Sequence, residues 1–354
     1  METATAAAEG FRPARVRLAS WPDWIVARMD ALPGPWWVAY AAAFLALTGL
    51  GLAARWLDGG VPVGDVPLLT PIEASFPPIF LLVLGSLDSV ALRSLRTLRP
   101  ALTISEPEID RLAKELVTTP PWWAITAVPI GIAAAIVSVA SDPAGYSLGP
   151  GTGPVILVWE VALTSLTYAA VFGLTAHALH QLQLVTRVHR DAVRVELFQL
   201  EPLYSFANLT SWTGIILVAL ATYSIGTLSF VAGIEFSAVD LVTISGLVVF
   251  AVASFVVPLL GLHSQIGAEK AERRAAAAMT LATVVNEVQT RIRAAGYEQM
   301  SQLNDALAAA TSALATISKV STWPWRPETV RGFFGAVGLP VLIWTITAFL
   351  GRYV

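Results

Sequence analysis

Seven stretches of the chain are apolar over about 17–24 residues each, and polar segments separate them. A helix rises 1.5 Å per residue, so about 20 residues cross about 30 Å of hydrocarbon. Each stretch therefore predicts a membrane-spanning helix. The predicted spans are Trp36–Ala54, Phe76–Leu92, Pro121–Ala140, Pro154–Ala176, Trp212–Ala232, Val239–Leu262 and Phe333–Leu350. Because a polar arm precedes the first stretch, we expect a span there rather than a cleaved signal peptide.

Composition agrees with this pattern. Of the 354 residues, 55% are hydrophobic and only 13% are charged, whereas soluble domains carry about 25% charged residues. The chain contains no cysteine, which excludes disulfides, thiolate metal sites and cysteine nucleophiles. We therefore predict an all-α membrane protein.

The basic residues predict the orientation. All of the 22 lysines and arginines except Arg55 and Arg352 fall in the N-terminal arm or in alternate connections between spans. Basic residues are retained on the cytoplasmic side of a membrane. The prediction is a multi-pass protein of the cell (inner) membrane, with a cytoplasmic N-terminus and an outside C-terminus.

The largest polar segment, 265–320, has two apolar seams of coiled-coil spacing. The second seam consists of Met300, Leu303, Leu307, Leu314 and Ile317. Gly296 lies between the seams, so we predict a helical hairpin that turns there and serves as a cytoplasmic anchor. One continuous helix is the alternative, because a single glycine costs a helix only about 1 kcal/mol.

The segment KVSTWPWRPETVRGFF joins this hairpin to the seventh span. Its prolines break the helix, and its tryptophans and arginine are typical of the headgroup level of a membrane. The predicted hinge consists of Trp323, Pro324, Trp325, Arg326 and Pro327. It is either a passive anchor or a hinge that transmits movement of the hairpin to the last span.

The chain divides into four predicted regions. Residues 1–35 form a cytoplasmic arm with an interfacial segment, and 36–262 form a six-helix transmembrane region with helical cytoplasmic loops. Residues 263–330 contain the hairpin and hinge, and 331–354 the seventh helix with the outer C-terminus. The predicted fold is seven transmembrane helices with a cytoplasmic helical anchor domain.

No enzymatic motif is present, and we predict neither an enzyme nor a cofactor. His177 and His180 have the spacing of two metal ligands, but a zinc site would need more ligands. We therefore expect packed histidines and no metal. Asp88 lies where it could pair with Arg93 or Arg96.

Several acidic residues lie at the predicted outer surface, where a negative field concentrates cations. The outer candidates are Glu160, Glu235 and Asp240. A carboxylate inside a span, such as that of Glu160, is a functional candidate by default. Helix capping after Ser237 explains Asp240 equally well.

The seventh span supplies the pore candidates, which are Gly335, Gly338, Leu339, Ile343, Thr345 and Thr347. Its glycines leave one side of the helix narrow, and its two threonines are the only polar side chains. The alternative is that the glycines pack this span against its own bundle.

The segments FQLEPLYSFANLT and ISKVSTWPWRPETVRGF resemble those of uncharacterised bacterial multi-span membrane proteins. The topology resembles that of the insect olfactory and gustatory receptor channels and their relatives. That resemblance implies a homo-oligomer, a tetramer in that family, which assembles through the anchor and whose seventh helix lines a cation pore.

The resulting functional hypothesis is an oligomeric, cation-permeable ion channel embedded in the lipid bilayer. A membrane sensor or scaffold whose hairpin binds a partner is the alternative, and a secondary transporter is a third. Nothing in the sequence suggests binding to nucleic acid.

Overall fold

The computed structural model describes residues 20–149, 152–193, 195–198, 200–227, 249–295 and 300–350. These residues are helical, with no strand among them. The helices are α1 Trp21–Asp30, α2 Val38–Leu57, α3 Leu69–Leu98, α4 Glu106–Leu116, α5 Pro121–Ser141, α6 Pro154–Asp191, α7 Tyr204–Gly226, α8 Leu260–Arg293, α9 Met300–Lys319 and α10 Pro327–Leu350. A further helical stretch, 249–256, leads through a 3₁₀ turn at Val257–Leu259 into α8.

Six helical stretches within the described ranges are long and apolar enough to cross a membrane. They are Val38–Leu57, Leu69–Ala101, Glu106–Ser141, Pro154–Val188, Glu201–Ser224 and Val249–Arg293. In chain order they contain or overlap the first six predicted spans. The seventh predicted span falls in α10, which begins earlier, at Pro327. An all-helical protein with membrane-like helices is confirmed, and the seventh span stays a prediction.

Helix α1 lies against the bundle. The side chain of Ser20 accepts the backbone N–H of Asp23 at 3.5 Å, and Pro22 occupies the first turn, so the chain enters the helix with its N-terminus capped. Val26 is buried, and the indole of Trp21 donates to the carbonyl of Ala124 at 2.9 Å. Residues 1–19 lie outside the described ranges.

Helix α6 is the longest of the bundle, about 57 Å at 1.5 Å per residue. It packs most extensively on α5, and Gly131 makes this possible. A Cβ atom at Gly131 would lie 2.7 Å from the backbone nitrogen of Ala169, closer than any real contact. The two backbones therefore touch where α5 has no side chain.

Helix α6 ends at Asp191, well beyond the predicted fourth span, which ended at Ala176. The carbonyl of Ala192 accepts both the backbone N–H and the hydroxyl of Thr103, at 2.9 and 3.1 Å. An isolated bridge between Leu102 and Val193 follows. The helix ends here because the backbone after Asp191 pairs with Leu102 and Thr103 instead of continuing the helical hydrogen bonds. Sequence periodicity does not reveal this contact.

The connection from α3 to α4 follows its sequence signal. Glu108 accepts the backbone N–H and the hydroxyl of Ser105 at 2.8 and 2.7 Å, and this capping box begins α4. Leu112 and Leu116 then face a core that α3, α6 and the base of α8 complete.

Helices α8 and α9 pack side by side as an antiparallel pair. The ammonium of Lys270, near the start of α8, donates to the carbonyls of Ser318 and Val320 at the far end of α9, at 2.8 and 2.7 Å. This arrangement agrees with a hairpin and not with one continuous helix. Gly296 itself lies outside the described residues.

The seam of α9 is only partly covered. Ile317 is 7% exposed, whereas Met300, Leu303, Leu307 and Leu314 are half-buried. In a pair of helices each helix covers only one side of the other's seam. The remaining side of the α9 seam is therefore available for contact with another helix. We call the end of the bundle that carries this arm the hairpin end, and the end with residues 58–68 and 142–153 the distal end.

Candidate functional site

Three charged side chains meet inside the distal end of the bundle. Arg55 on α2 donates from Nη2 to Oε1 of Glu160 on α6 at 2.7 Å, and the same nitrogen lies 3.7 Å from Oε2 of Glu73 on α3. The side chains are 5%, 1% and 13% exposed, respectively. We call Arg55, Glu73 and Glu160 the distal cluster.

Close packing of α2 brings these groups together. A Cβ atom at Gly51 would lie 2.9 Å from Thr70 on α3 and 2.9 Å from the indole nitrogen of Trp159 on α6. Glycine therefore lets α2 approach both neighbours one turn before Arg55. The arginine is consequently held between two carboxylates instead of reaching solvent.

The distal cluster leaves polar atoms unsatisfied. Among the described residues, the buried atoms without a hydrogen-bond partner in this region are Arg55 Nε, Thr70 Oγ1, Glu73 Oε2, Trp159 Nε1 and Glu160 Oε2. Buried polar atoms normally have a partner. Two carboxylates also face a single guanidinium, so full ionisation would leave a net negative charge in the core. Both facts favour an added proton, a small cation or water at this place.

Sequence analysis identified only one member of this cluster. The first predicted span ended at Ala54 and the second began at Phe76, so Arg55 and Glu73 were assigned to outer loops. Only Glu160 was identified, as an outer residue that attracts cations, and the structure buries it against Arg55. A signal was available, since both residues lie about one helical turn from an apolar run, where the helix can extend.

A second buried cluster lies towards the hairpin end. Oδ1 of Asp88 on α3 lies 2.8 Å from Nε2 of His177 on α6 and accepts the amide of Gln181 at 3.1 Å. Gln181 also donates to the carbonyl of Leu116 at 2.8 Å. Asp88 thus binds residues of α6, and not Arg93 or Arg96 as the sequence suggested. A polar pair inside the bundle replaces the expected pair at its surface.

The same histidine links this cluster to α1. Nδ1 of His177 lies 2.9 Å from the hydroxyl of Thr119, which donates to Asp23 at 2.9 Å. The hydroxyl has one proton and gives it to Asp23, so Nδ1 must carry the hydrogen that Thr119 accepts. One further proton remains to be shared between His177 Nε2 and Asp88. We call Asp23, Asp88, Thr119, His177 and Gln181 the inner cluster.

The two clusters occupy the same pair of helices. Glu73 and Asp88 lie about 22 Å apart along α3, and Glu160 and His177 about 25 Å apart along α6, at 1.5 Å per residue. Apolar side chains fill the space between them. These include Phe76, Phe80, Leu81, Leu84, Ala170 and Leu174. The arrangement places one cluster of ionisable side chains at each end of a buried apolar segment.

The histidines do not form a metal centre in the described part of the chain, where no group of three potential metal ligands occurs. Both nitrogens of His177 are engaged in hydrogen bonds, and His180 takes no part in that network.

Stacked rings connect the hairpin to α10. His263 in α8 stacks on Trp323 at 4.1 Å between ring centroids, and Trp323 stacks on Trp325 at 4.3 Å. Trp325 continues to Phe255 at 5.2 Å, and Phe255 to Phe333 of α10 at 4.3 Å. The predicted hinge is therefore a packed junction in which every tryptophan has a ring on each side.

The remaining hinge residues fasten this junction to the bundle. Arg326 forms an ion pair with Glu201 and lies over the ring of Tyr204, both at the start of α7. Pro324 is buried, and Pro327 opens α10 at a position where a missing N–H does no harm.

The glycine face of α10 has no packing partner among the described residues. A Cβ atom at Gly332, Gly335 or Gly338 would meet nothing within 4 Å in the described part of the chain. The helix is held instead by Phe333 and Val337, which pack against α7 and the stretch 249–256. None of the described residues covers the face that contains the glycines.

The remaining pore and outer candidates from the sequence cannot be compared with contacts in the structure. Leu339, Ile343, Thr345 and Thr347 belong to α10, but their side chains lie outside the described part of the structure. Glu235 and Asp240 also lie outside the described residues.

No family model, curated protein or solved structure matches this chain. The likeness to the seven-helix receptor channels therefore stays an expectation, and any function must be argued from the clusters themselves.

Proposed function

We propose that this chain is an integral membrane protein of the cation-transport class that binds protons at two buried sites. The observation that supports it is the placement of the distal and inner clusters at opposite ends of α3 and α6. Ionisable residues inside membrane helices are rare, and they commonly form proton or ion paths.

In this proposal the membrane is the cell (inner) membrane, and the chain crosses it seven times. The N-terminus and the α8–α9 hairpin are cytoplasmic, and the C-terminus is outside. The distal cluster then opens towards the exterior and the inner cluster towards the cytoplasm. The distribution of basic residues along the sequence supports this orientation.

Each cluster would hold an exchangeable proton without a cofactor. At the distal cluster a proton on Glu73 or Glu160 removes the excess negative charge beside Arg55. At the inner cluster a proton moves between His177 Nε2 and Asp88 while Thr119 and Asp23 hold the ring in place. Protonation neutralises a carboxylate in the core and so favours close packing of α3 on α6.

Helix α3 provides a place to bend between the clusters. Pro77 and Pro78 lie inside it, and they have no N–H to offer to the carbonyls of Glu73 and Ala74 one turn earlier. The distal half of α3 can therefore tilt at lower cost than an uninterrupted helix. Such a tilt would alter access to Glu73.

Proton movement can be measured in proteoliposomes that contain a pH-sensitive dye, with a potassium diffusion potential as the driving force. We expect acidification that Glu160→Gln and Asp88→Asn each reduce strongly, since an amide cannot exchange a proton. Glu106→Gln is the matched control, because Glu106 is exposed and its ion pair among the described residues is with Arg99, away from both clusters. Flux that both cluster variants leave unchanged would contradict the proposal.

A second candidate is an oligomeric cation channel in which α10 lines the axis. The open face of Gly332, Gly335 and Gly338 favours it, because a helix facing a pore or another subunit needs no side chains from its own bundle there. The half-buried seam of the hairpin would complete the assembly, as a tetramer by resemblance. Single cysteines from Val337 to Phe349, blocked periodically by a charged thiol reagent, would support this path.

The sensor or scaffold alternative remains the outcome of a negative flux experiment. If neither protons nor other cations move, while Asp88→Asn still changes the conformation of the hairpin, the inner cluster controls a cytoplasmic surface instead of a path.

A further inference from the structure

A large cavity opens at the hairpin end, away from both clusters. Its volume is about 1210 Å³, larger than the roughly 300–1,000 Å³ of ordinary small-molecule pockets. Helices α2, α3, α7 and the first turn of α10 surround it, together with the last residue of α1. Neither the proposed proton path nor the glycine face of α10 uses it.

The cavity is polar at one end and apolar at the other. Arg93, Thr97 and Tyr204 lie at the hairpin end, whereas Leu82 and Ile216 lie deeper. Helices α3 and α7 run in opposite directions, yet the late residues of α3 and the early residues of α7 are both polar and lie at the same end of the cavity. Such a gradient matches an amphipathic molecule with its headgroup at the hairpin end.

The polar end carries an arginine that is free to bind an anion. Arg326 is paired with Glu201, but no described residue forms an ion pair with the guanidinium of Arg93. The carboxylate nearest in sequence, Asp88, is already held by His177. Asp30, the other acidic residue of the wall, is exposed at the end of α1 and forms no ion pair with Arg93.

Neutral donors accompany this charge. The side chains of Asn208 and Trp212 line the cavity one turn apart on α7 and make no hydrogen bond to any described residue. Ser86 and Ser89 donate their protons to their own helix, to the carbonyls of Leu82 and Gly85. The free neutral donors of the cavity therefore include the Asn208 amide and the Trp212 indole, which line it together with Arg93 and are the kind of group that a phosphate binds.

We propose that the cavity binds an anionic glycerophospholipid from the leaflet at the hairpin end, with its phosphate on Arg93 and Asn208. The acyl chains would lie against Leu82, Val83 and Ile216. Arginine and amide donors match phosphate oxygens, and the apolar inner wall favours a ligand with acyl chains over a purely soluble phosphate compound.

Native mass spectrometry of the full chain in detergent tests this, with phosphatidylglycerol and phosphatidylcholine as probes. We expect tighter binding of phosphatidylglycerol, and a loss of about tenfold in Arg93→Gln, the factor expected of one charge-assisted hydrogen bond. Asn208→Leu should weaken binding in the same direction, and because Asn208 is exposed and unbonded to described residues it should not affect folding. Arg331→Gln, an exposed arginine of α10 outside the cavity, is the control.

Three results would overturn the proposal. Equal binding of the two lipids would remove the role of the charge. A preference that survives both Arg93→Gln and Asn208→Leu would place the lipid elsewhere. Displacement of the lipid by glycerol 3-phosphate at comparable concentration would show that the ligand is a soluble phosphate compound.

Discussion

Arg55 is the residue on which the distal cluster depends. It is the only cation within reach of Glu73 and Glu160 among the described residues, and its side chain is 5% exposed. An ion pair in so dry a place contributes little beyond its own desolvation, but removal of one partner leaves an uncompensated charge. We therefore expect the stability of the fold to depend on the charge balance of this cluster more than on the strength of the ion pair itself.

This argument predicts an asymmetry between single and double variants. Arg55→Met should lower the free energy of unfolding by about 3–5 kcal/mol, because two buried carboxylates lose their counter-charge. Arg55→Met combined with Glu160→Gln should recover part of that loss. Thermal unfolding in detergent measures both, and an unchanged melting temperature for Arg55→Met would show that the cluster is hydrated.

Thr119 has a corresponding role in the inner cluster, since its hydroxyl connects His177 to Asp23. Thr119→Val should cost about 1–3 kcal/mol, because Asp23 and His177 each lose a buried partner. Thr119→Ser keeps the hydroxyl and should remain close to wild type. Hydrogen exchange of the backbone amides of α1 measures the local loss of stability. Equal protection of these amides in Thr119→Val and Thr119→Ser would contradict the role of the hydroxyl.

At the scale of elements, α3 and α6 determine the layout of the site. Both clusters use one residue or more from each, and the apolar residues between them come from the same two helices. Because α3 contains Pro77 and Pro78 and α6 contains no proline after its first residue, only α3 has a built-in place to bend. Movement between the clusters is therefore expected in α3.

The α8–α9 hairpin is the other element with unfinished packing. Leu307 is half-buried in its seam, whereas Ala308 beside it is exposed. Leu307→Asp should lower the melting temperature and reduce any oligomer to smaller species, because the charge enters an apolar contact. Ala308→Asp is the matched control. If Leu307→Asp keeps its size and melting temperature in detergent, the hairpin does not act as an anchor.

The same elements show what sequence patterns can predict. The apolar runs predicted the first six membrane-like helices, and the two seams predicted the paired arms of the hairpin, since both depend on local periodicity. The bond between Arg55 and Glu160 joins residues 105 positions apart, and no local pattern encodes it. The aromatic stack at Trp323 was similarly visible only as composition, because its partners Phe255 and His263 lie in other helices.

At the scale of the whole molecule, polarity is distributed unequally between the two ends. The hairpin end carries the inner cluster, the junction of Arg326 with Glu201 and the large cavity. The distal end carries short connections and the cluster around Arg55. A transport function requires these ends to face different compartments, so the orientation in the membrane is the property on which the proposal depends most.

Orientation can be tested directly because the chain contains no cysteine. Val63→Cys places a thiol in the connection between α2 and α3, where the native side chain is 82% exposed. Ala308→Cys places one on the exposed side of α9. If basic residues are retained in the cytoplasm, a membrane-impermeant maleimide should label the first variant in intact cells and the second only after permeabilisation. The reverse pattern would invert the topology, and the distal cluster would then receive its protons from the cytoplasm. Labelling of both variants in intact cells would mean that the hairpin and the α2–α3 connection share one side, which six or seven spans in this order cannot produce.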